Sequence, residues 1–239
     1  MKSPESSRGR SVRETIEELL DRFGKCFSTE LGILLEDKER DEIFKWFVAS
    51  ILFGARISEK IAARTYQKFI ESGLRTPKSM IEAGWDRLVE VLDAGGYARY
   101  DFKTATKLLE VMNNLERRYG GDLNRLHSEA TDPRDLEFRI KKLGKGIGDV
   151  TASIFLRELR GVWEKADPPL QDLAIDAARS LDLTRRKVKD ENIKVLILKE
   201  LQDLWSRNRI KNKEFVDFEA ALVRYGKDVV RRRSSKPSG

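Results

Sequence analysis

The chain has 239 residues, of which only one is a cysteine and one is a histidine. These are the two side chains that most often bind transition metals. Its one cysteine, Cys26, excludes an intrachain disulfide, a four-cysteine iron–sulfur cluster and a cysteine zinc site. Its one histidine, His127, stands in the polar stretch DLNRLHSEATDP, which favours a solvated loop histidine over a metal ligand or a catalytic base. We therefore predict no cofactor and no metal held by side chains.

Long apolar runs are also absent. No stretch approaches the roughly 20 apolar residues of a membrane span. The first residues, MKSPESSRGRSVRE, lack the apolar core of a secretory signal. We therefore expect an intracellular protein, in the cytoplasm, the nucleoid or the nucleus, with no membrane partner.

No stretch alternates polar and apolar residues for long enough to predict a strand. The apolar residues recur instead at helical spacing, and helix start signals precede several of these runs, as at Ser58 and at Thr76-Pro77. We predict an all-α fold of about ten helices with short loops. Residues 1–12 are polar and predicted to be disordered. A polar loop is expected before and around Asp132-Pro133.

The positive charge of the chain is concentrated near its C-terminus. Residues 184–239 contain 16 Lys and Arg against 8 Asp and Glu, a net charge of +8, whereas residues 1–183 contain 31 against 32, a net charge of −1. A basic surface attracts a polyanion such as DNA. For the basic tail, residues 231–239, a solubilising role is an equally good interpretation.

The stretch LGKGIGDVTA (Leu143–Ala152) places three glycines between two helix-like runs. A turn this short is expected to need the positive φ angles that glycine allows. Its backbone N–H groups, at the start of the next helix, are suited to bind an anion such as a DNA phosphate. The alternative is an ordinary structural turn between two helices.

The pattern Gly146-Ile147-Gly148 followed by Thr151-Ala152 resembles the hairpin of the helix-hairpin-helix (HhH-GPD) superfamily of base-excision DNA glycosylases. Three further features occur in the order found in that superfamily. They are the apolar helix pair ILFGARISEKIAARTYQKF, the passage TPKSMIEAGWDRLVEVLDAGGYARYDFKTATKLLE, and an aspartate 19 residues after the last hairpin glycine, Asp167. The resemblance covers roughly residues 44–181, most of the chain.

This resemblance implies two helical domains with an active-site cleft between them. One domain would combine residues 13–45 with residues 174–230. The other would be a central domain of residues 46–173, with the helix-hairpin-helix at residues 134–160. A monomer is expected, with double-stranded DNA carrying a damaged or mismatched base as its partner. The base lesion itself is not indicated by any motif.

The resemblance also implies chemistry: extrusion of the base from the duplex and hydrolysis of its N-glycosidic bond. Asp167 is the predicted catalytic carboxylate, and a helix N-cap before Pro168 is its alternative role. Asp172 and Asp176 are rival carboxylates. Bifunctional relatives carry a strand-cleaving lysine two residues after the second hairpin glycine, where this chain has Val150, so a monofunctional glycosylase is implied.

A lyase lysine at another position remains an alternative, at Lys142, Lys145 or Lys165. A non-catalytic DNA-binding or damage-sensing protein is the alternative to the enzyme. The predicted DNA contacts are the hairpin and residues from the two preceding regions: Lys145, Gly146, Gly148, Thr151, Arg56, Tyr97 and Arg99. A surface arginine is an equally good interpretation of Arg56, and core packing is an equally good interpretation of Tyr97.

Two further assignments concern aromatic residues and the hairpin carbonyls. Phe44, Phe47 and Trp163 are predicted to line the base pocket, with core packing as the alternative. The family resemblance also implies a monovalent cation at the carbonyls of Gly144 and Gly146.

Overall fold

The computed structural model describes residues 10–97, 101–188 and 190–230. Within these ranges all regular structure is helical, which confirms the all-α prediction. A single isolated bridge joins Arg160 and Trp163. The helices are α1 Val12–Phe23, α2 Phe27–Glu30, α3 Arg40–Phe53, α4 Glu59–Glu71, α5 Pro77–Gly95, α6 Asp101–Tyr119, α7 Leu123–Glu129, α8 Pro133–Lys141, α9 Asp149–Glu158, α10 Asp172–Ser180, α11 Glu191–Arg207, α12 Phe215–Tyr225 and a π-helix, Gly226–Val230.

The helix start signals act as the sequence predicts. The hydroxyl of Ser58 accepts a hydrogen bond from the backbone N–H of Ile61 at the start of α4. Thr76 and Ser79 form a reciprocal capping box ahead of α5. Because the first N–H groups of a helix have no intrahelical acceptor, these side chains fix where each helix begins.

Helix α5 contains a break at Gly84. Gly84 has φ +76° and ψ −179°, so the backbone leaves the helical conformation there and resumes it at once. Only glycine adopts this combination without strain. The residue that follows, Trp85, is 38% exposed.

The prediction of a polar loop before Asp132-Pro133 is wrong. Residues 123–129 form α7, capped by the side chain of Asp122, which accepts a hydrogen bond from the N–H of Asn124. The helix has only seven residues. Its two buried leucines, Leu123 and Leu126, are too few to give a recognisable helical period.

The helices form two compact units. The central unit is Ser28–Pro168, and the other unit comprises the described parts of Met1–Phe27 and Pro169–Gly239. Residues 28–45 thus belong to the central unit, although the sequence places them with the terminal helices. The reason is α3, which is buried on nearly all sides and packs against α4, α7 and α9.

The second unit has its own core between α1, α10, α11 and α12. Trp205 stacks on Phe218, with ring centroids 5.7 Å apart. Phe23 meets Tyr225 edge to face at 5.9 Å. No helix in the described part of the chain is long and apolar enough to cross a membrane.

Candidate nucleic-acid interface

The glycine hairpin joins α8 to α9, and its backbone differs from the prediction. None of Gly144, Gly146 and Gly148 has a positive φ angle. Gly144 and Gly146 instead allow the hairpin backbone to approach α6 closely. A Cβ atom on Gly144 would lie 2.7 Å from Val111 Cγ2, and one on Gly146 would lie 3.0 Å from Lys107 Cδ. The hairpin is therefore pressed against α6 at its first two glycines.

The third glycine faces open space. Gly148 is the N-cap of α9 with φ −97°, and no atom lies within 4 Å of a Cβ built on it. The N–H groups in the first turn of α9 have no intrahelical acceptor, and no side chain caps them. Gly148 and the next two residues, Asp149 and Val150, are exposed. The bare helix start that the sequence predicts is thus present at Gly148.

The amide of Gly146 does not serve as a DNA contact in this conformation. It donates to the carbonyl of Gly144 at 2.8 Å, and the N–H of Ile147 donates to the same oxygen at 3.2 Å. A carbonyl oxygen has two lone pairs, so the Gly144 oxygen does not fit the predicted cation site without losing these bonds. Among the described residues, no group of three or more His, Cys, Asp or Glu is placed to bind a metal.

An ion-pair network joins the two helices of the hairpin. Lys141 Nζ donates to Glu137 Oε1 at 3.0 Å and to Asp149 Oδ1 at 2.7 Å. The hydrogen bond to Asp149, followed by that to Glu137, raises the pKa of Lys141. Asp149 stands in the first turn of α9, where its negative charge interacts favourably with the helix dipole.

A concavity of about 340 Å³ lies beside the hairpin. Three regions distant in sequence form its wall: the end of α3 with the turn after it, Tyr97 with α6, and the hairpin with the start of α9. The lining residues are Ile51, Gly54, Ala55, Arg56, Tyr97, Lys103, Thr104, Lys107, Leu108, Val111, Gly146, Ile147 and Thr151. Four predicted DNA contacts are therefore brought together here: Arg56, Tyr97, Gly146 and Thr151.

Two of the remaining predicted contacts, Lys145 and Gly148, do not line the concavity. Lys145 and Gly148 are exposed hairpin residues next to the lining residues in the chain. The backbone N–H of Lys145 lies 3.4 Å from Glu110 Oε1, which accepts its hydrogen bond. Arg99 is outside the described residues. Tyr97 is only 5% exposed, so it presents little of its ring to solvent.

Three cations surround the concavity: Arg56, Lys103 and Lys107. All three side chains are exposed, and none forms an ion pair within the described ranges. Sequence reasoning missed the two lysines. Their spacing of four residues, which places both on one face of α6, is the signal that identifies them.

The turn after α3 is in direct contact with the hairpin helix. A Cβ atom on Gly54 would overlap the Thr151 hydroxyl oxygen and would lie 3.3 Å from Thr151 Cα. Thr151 is itself buried, with 4% exposed. This contact holds Arg56, two residues beyond Gly54, beside the hairpin.

The aromatic residues predicted to line a base pocket lie in the core. Phe44, Phe47 and Trp163 are exposed by 1%, 0% and 1%, and none lines the concavity. Phe47 and Trp163 both meet Phe155 edge to face. These three aromatic residues therefore pack in the core, which was the alternative interpretation of the sequence.

His127 is not a solvated loop residue. Its ring stacks on Trp163, with centroids 4.7 Å apart and planes 10° from parallel. Its Nε2 accepts a hydrogen bond from the backbone N–H of Lys165 at 3.4 Å. Burial, and then the nearby charge of Lys165, lowers the pKa of His127. Both effects favour the neutral ring.

The predicted catalytic aspartate lies in the loop after α9. Asp167 forms an ion pair with Arg160, and the same guanidinium donates to the carbonyl of Pro168 at 2.7 Å. The Asp167 side chain is 55% exposed and that of Arg160 only 8%. No helix begins at Asp167, so its alternative role as an N-cap is wrong. Asp167 does not line the concavity beside the hairpin.

The rival carboxylates lie on α10, in the second unit. Asp172 is the first residue of α10, 79% exposed, and pairs with Lys194 at 3.1 Å. Asp176 is exposed one turn later. Neither has a buried environment of the kind that often marks a catalytic carboxylate.

The lysines that are alternatives for lyase activity differ in their surroundings. Val150, at the position of the lyase lysine in bifunctional relatives, is 59% exposed. Lys165 Nζ donates to the carbonyls of His127 and Ser128 at 3.0 and 3.5 Å. Lys142 Nζ lies 5.3 Å from the centre of the Phe138 ring. The amine of Lys145 is exposed on the hairpin.

Comparison with models of protein families found no match to the chain, and comparison with curated protein sequences found no significant match.

Proposed function

We propose that the protein is a DNA-binding helix-hairpin-helix protein that acts as a monofunctional DNA glycosylase. The observation that carries the proposal is the concavity beside the hairpin, whose wall combines the glycine turn with Arg56, Lys103 and Lys107. The negative charge of a sugar–phosphate backbone complements these three cations, and its shape suits the concave surface. The amides at the start of α9 and the three cations would bind successive phosphates.

The electrostatics favour a polyanion over a small neutral ligand. Three exposed cations without ion pairs in the described ranges lie within one wall. Each cation that neutralises a phosphate releases a condensed counterion, so binding is expected to weaken as salt rises. These contacts carry no base specificity by themselves.

In the proposed reaction, water adds to the anomeric carbon while the bond from that carbon to the base nitrogen breaks. The base leaves as an anion or takes a proton, and the sugar acquires oxocarbenium character on the way. The Asp167 carboxylate would stabilise that positive charge and accept the proton of the attacking water. Arg160 would hold the carboxylate in place, since it is itself fixed on Pro168.

The proposal includes the family architecture, in which the damaged base enters a cleft between two helical domains. It also includes action as a monomer on double-stranded DNA, with no lyase step, because Val150 has no amine to form a Schiff base. Since DNA is the substrate, the proposed location is with the genome, in the cytoplasm, the nucleoid or the nucleus.

A second function is favoured by a specific observation. The carboxylate of Asp167 is already paired with Arg160 and does not line the concavity. A protein that binds DNA through the hairpin and has no catalytic step would show the same two features. The non-catalytic DNA-binding or damage-sensing protein is therefore the alternative.

The test is incubation of the full chain with duplex oligonucleotides that contain uracil, hypoxanthine, alkylated purines, 8-oxoguanine or mismatched thymine. Alkali-labile breaks that vanish in Asp167→Asn and persist in the matched variant Asp172→Asn support the enzyme. Binding without base release across the panel supports the alternative. Strand breaks without alkali, trapped by borohydride, contradict the monofunctional assignment.

A further inference from the structure

Two aromatic side chains stack on each other at the surface of the central unit. The ring centroids of Trp85 on α5 and Phe102 on α6 are 5.4 Å apart, with planes 21° from parallel. Trp85 is 38% exposed and Phe102 is 59% exposed. Burial of aromatic rings is favourable, so a ligand that covers this exposed, stacked pair would gain binding free energy.

The pair is held in position by its surroundings. The indole N–H of Trp85 donates to the hydroxyl oxygen of Thr106 at 3.0 Å, and that hydroxyl donates to the carbonyl of Phe102 at 2.9 Å. The residue before Trp85, Gly84, marks the break in α5. Since the rings are already oriented, a ligand that stacks on them loses little conformational entropy of the protein.

Positive charge adjoins the pair on α6. An α-helix turns by about 100° per residue. Going around α6 from Phe102, one therefore meets Thr106 first, then Lys103 and then Lys107. Lys103 and Lys107 also line the concavity beside the hairpin. The acid next to Phe102, Asp101, is the first residue of α6, and its Oδ1 accepts a hydrogen bond from the N–H of Phe102 at 2.7 Å.

We propose that Trp85 and Phe102 form a stacking platform for unpaired bases of single-stranded DNA, with the phosphates of that strand bound by Lys103 and Lys107. Every base has a π face, so aromatic rings beside cations bind single strands with little sequence preference. A protein partner is disfavoured, because two side chains cover far less than the roughly 800 Å² per partner of a stable protein interface.

The platform extends the DNA surface proposed above and does not depend on base removal. A duplex presents its bases stacked within the helix, so the platform would contact only unpaired nucleotides, such as an overhang. Binding of a blunt duplex therefore reports on the hairpin, and the part of single-strand binding that depends on Trp85 and Phe102 reports on the platform. The two proposals can fail separately.

Tryptophan fluorescence offers a direct readout. Of the four tryptophans, Trp46, Trp163 and Trp205 are exposed by 0%, 1% and 4%, so Trp85 is the one that a ligand can reach. Titration of the full chain with a thymidine oligonucleotide of about 12 nucleotides should quench the fluorescence of the wild type. The quenching should disappear in Trp85→Phe. Equal quenching in Trp85→Phe, or none in the wild type, overturns the proposal.

A second measurement follows binding of the labelled oligonucleotide by anisotropy. Phe102→Leu should weaken binding at least about fivefold, the lower limit for loss of one base–ring stack, while Phe102→Tyr should retain it. The matched control is Phe138→Leu, since Phe138 is 55% exposed and does not line the concavity; it should bind as the wild type does. Circular dichroism checks that each variant is folded.

Three results would overturn the platform. Phe102→Leu could bind the single strand as tightly as the wild type. Phe102→Leu could weaken the blunt duplex as much as the single strand, which would assign Phe102 to duplex binding. The wild type could instead self-associate in a manner lost in Phe102→Leu, which would assign the rings to a protein contact.

Discussion

Gly54 and Thr151 lie in such close contact that a Cβ atom on Gly54 would overlap the Thr151 hydroxyl oxygen. Ser50 O and Thr151 Cα, at 3.2 and 3.3 Å from that position, leave no space for the atom to move into. Gly54→Ala should therefore lower the free energy of unfolding by about 1–3 kcal/mol, the usual cost of overpacking. Chemical denaturation measures the change.

The matched control is Gly148→Ala. No atom lies within 4 Å of a Cβ at Gly148, and its φ of −97° suits any residue. We expect a loss below about 1 kcal/mol, from the weaker N-cap alone. Equal losses in the two variants would contradict the close packing of the α3 turn on the hairpin.

Removal of Lys103 and Lys107 tests the electrostatics of the concavity. Each phosphate contact contributes about 0.9 to the slope of log K against log salt for duplex DNA. The double variant Lys103→Ala/Lys107→Ala should therefore reduce that slope by about 2 and weaken binding to all duplex sequences alike. Fluorescence anisotropy at several salt concentrations provides the slope.

Lys78→Ala is the control for general charge loss. Lys78 lies 3.8 Å from Glu82 and its side chain is 78% exposed. It does not line the concavity, so its removal should leave the slope unchanged. If Lys78→Ala and the lysine pair reduced the slope equally per charge, the concavity would have no special part in DNA binding.

His127 makes stability depend on pH. Its pKa is lowered in the folded state, chiefly by burial, so the unfolded chain takes up a proton first as the pH falls below about 6.5. The wild type should therefore lose stability on acidification through this range. His127→Phe keeps an aromatic ring against Trp163 but does not titrate.

Denaturation of both proteins between about pH 7.5 and about pH 5.5 isolates the contribution of His127 to the pH dependence of stability, because the two proteins differ only at this residue. The stability of the wild type relative to His127→Phe should shrink as the pH falls. A difference that stays constant over the range would mean that burial does not disfavour the charged ring.

Asp167→Asn should leave the fold intact. The Asp167 side chain is 55% exposed, so the ion pair with Arg160 is screened, and the amide oxygen can still accept a hydrogen bond. We expect a loss of less than about 1 kcal/mol in the free energy of unfolding. A larger loss, measured by thermal denaturation, would make Asp167 a structural residue whose substitution cannot report on catalysis.

The helices that the sequence predicts correctly are determined by interactions between residues close together in the chain. Ser58 and Thr76 cap helices through hydrogen bonds within a few residues, and the apolar stripe of α6 is visible in the chain itself. Helix α7 was not predictable in this way, because its seven residues include only two buried leucines. The stacking of His127 on Trp163, 36 residues later, is not visible in the local sequence either.

The hairpin shows the same limit at the candidate site. Three glycines identify the turn, but the reason for Gly144 and Gly146 is their contact with Val111 and Lys107 on α6, which no local pattern reveals. The spacing of Lys103 and Lys107 places both on one face of α6, but their position beside the hairpin depends on contacts between distant parts of the chain. The pairing of Arg160 with Asp167 depends on the path of the loop between them, which the sequence does not specify.

Amide hydrogen exchange of the full chain with a blunt duplex tests the proposed interface most directly. The N–H groups in the first turn of α9 lack intrahelical acceptors, so they should exchange quickly in the free protein. On DNA binding we predict slower exchange at residues 148–151 and in the turn at residues 54–58, with α11 unchanged. Slower exchange confined to the second unit, with the hairpin unaffected, would contradict the proposal.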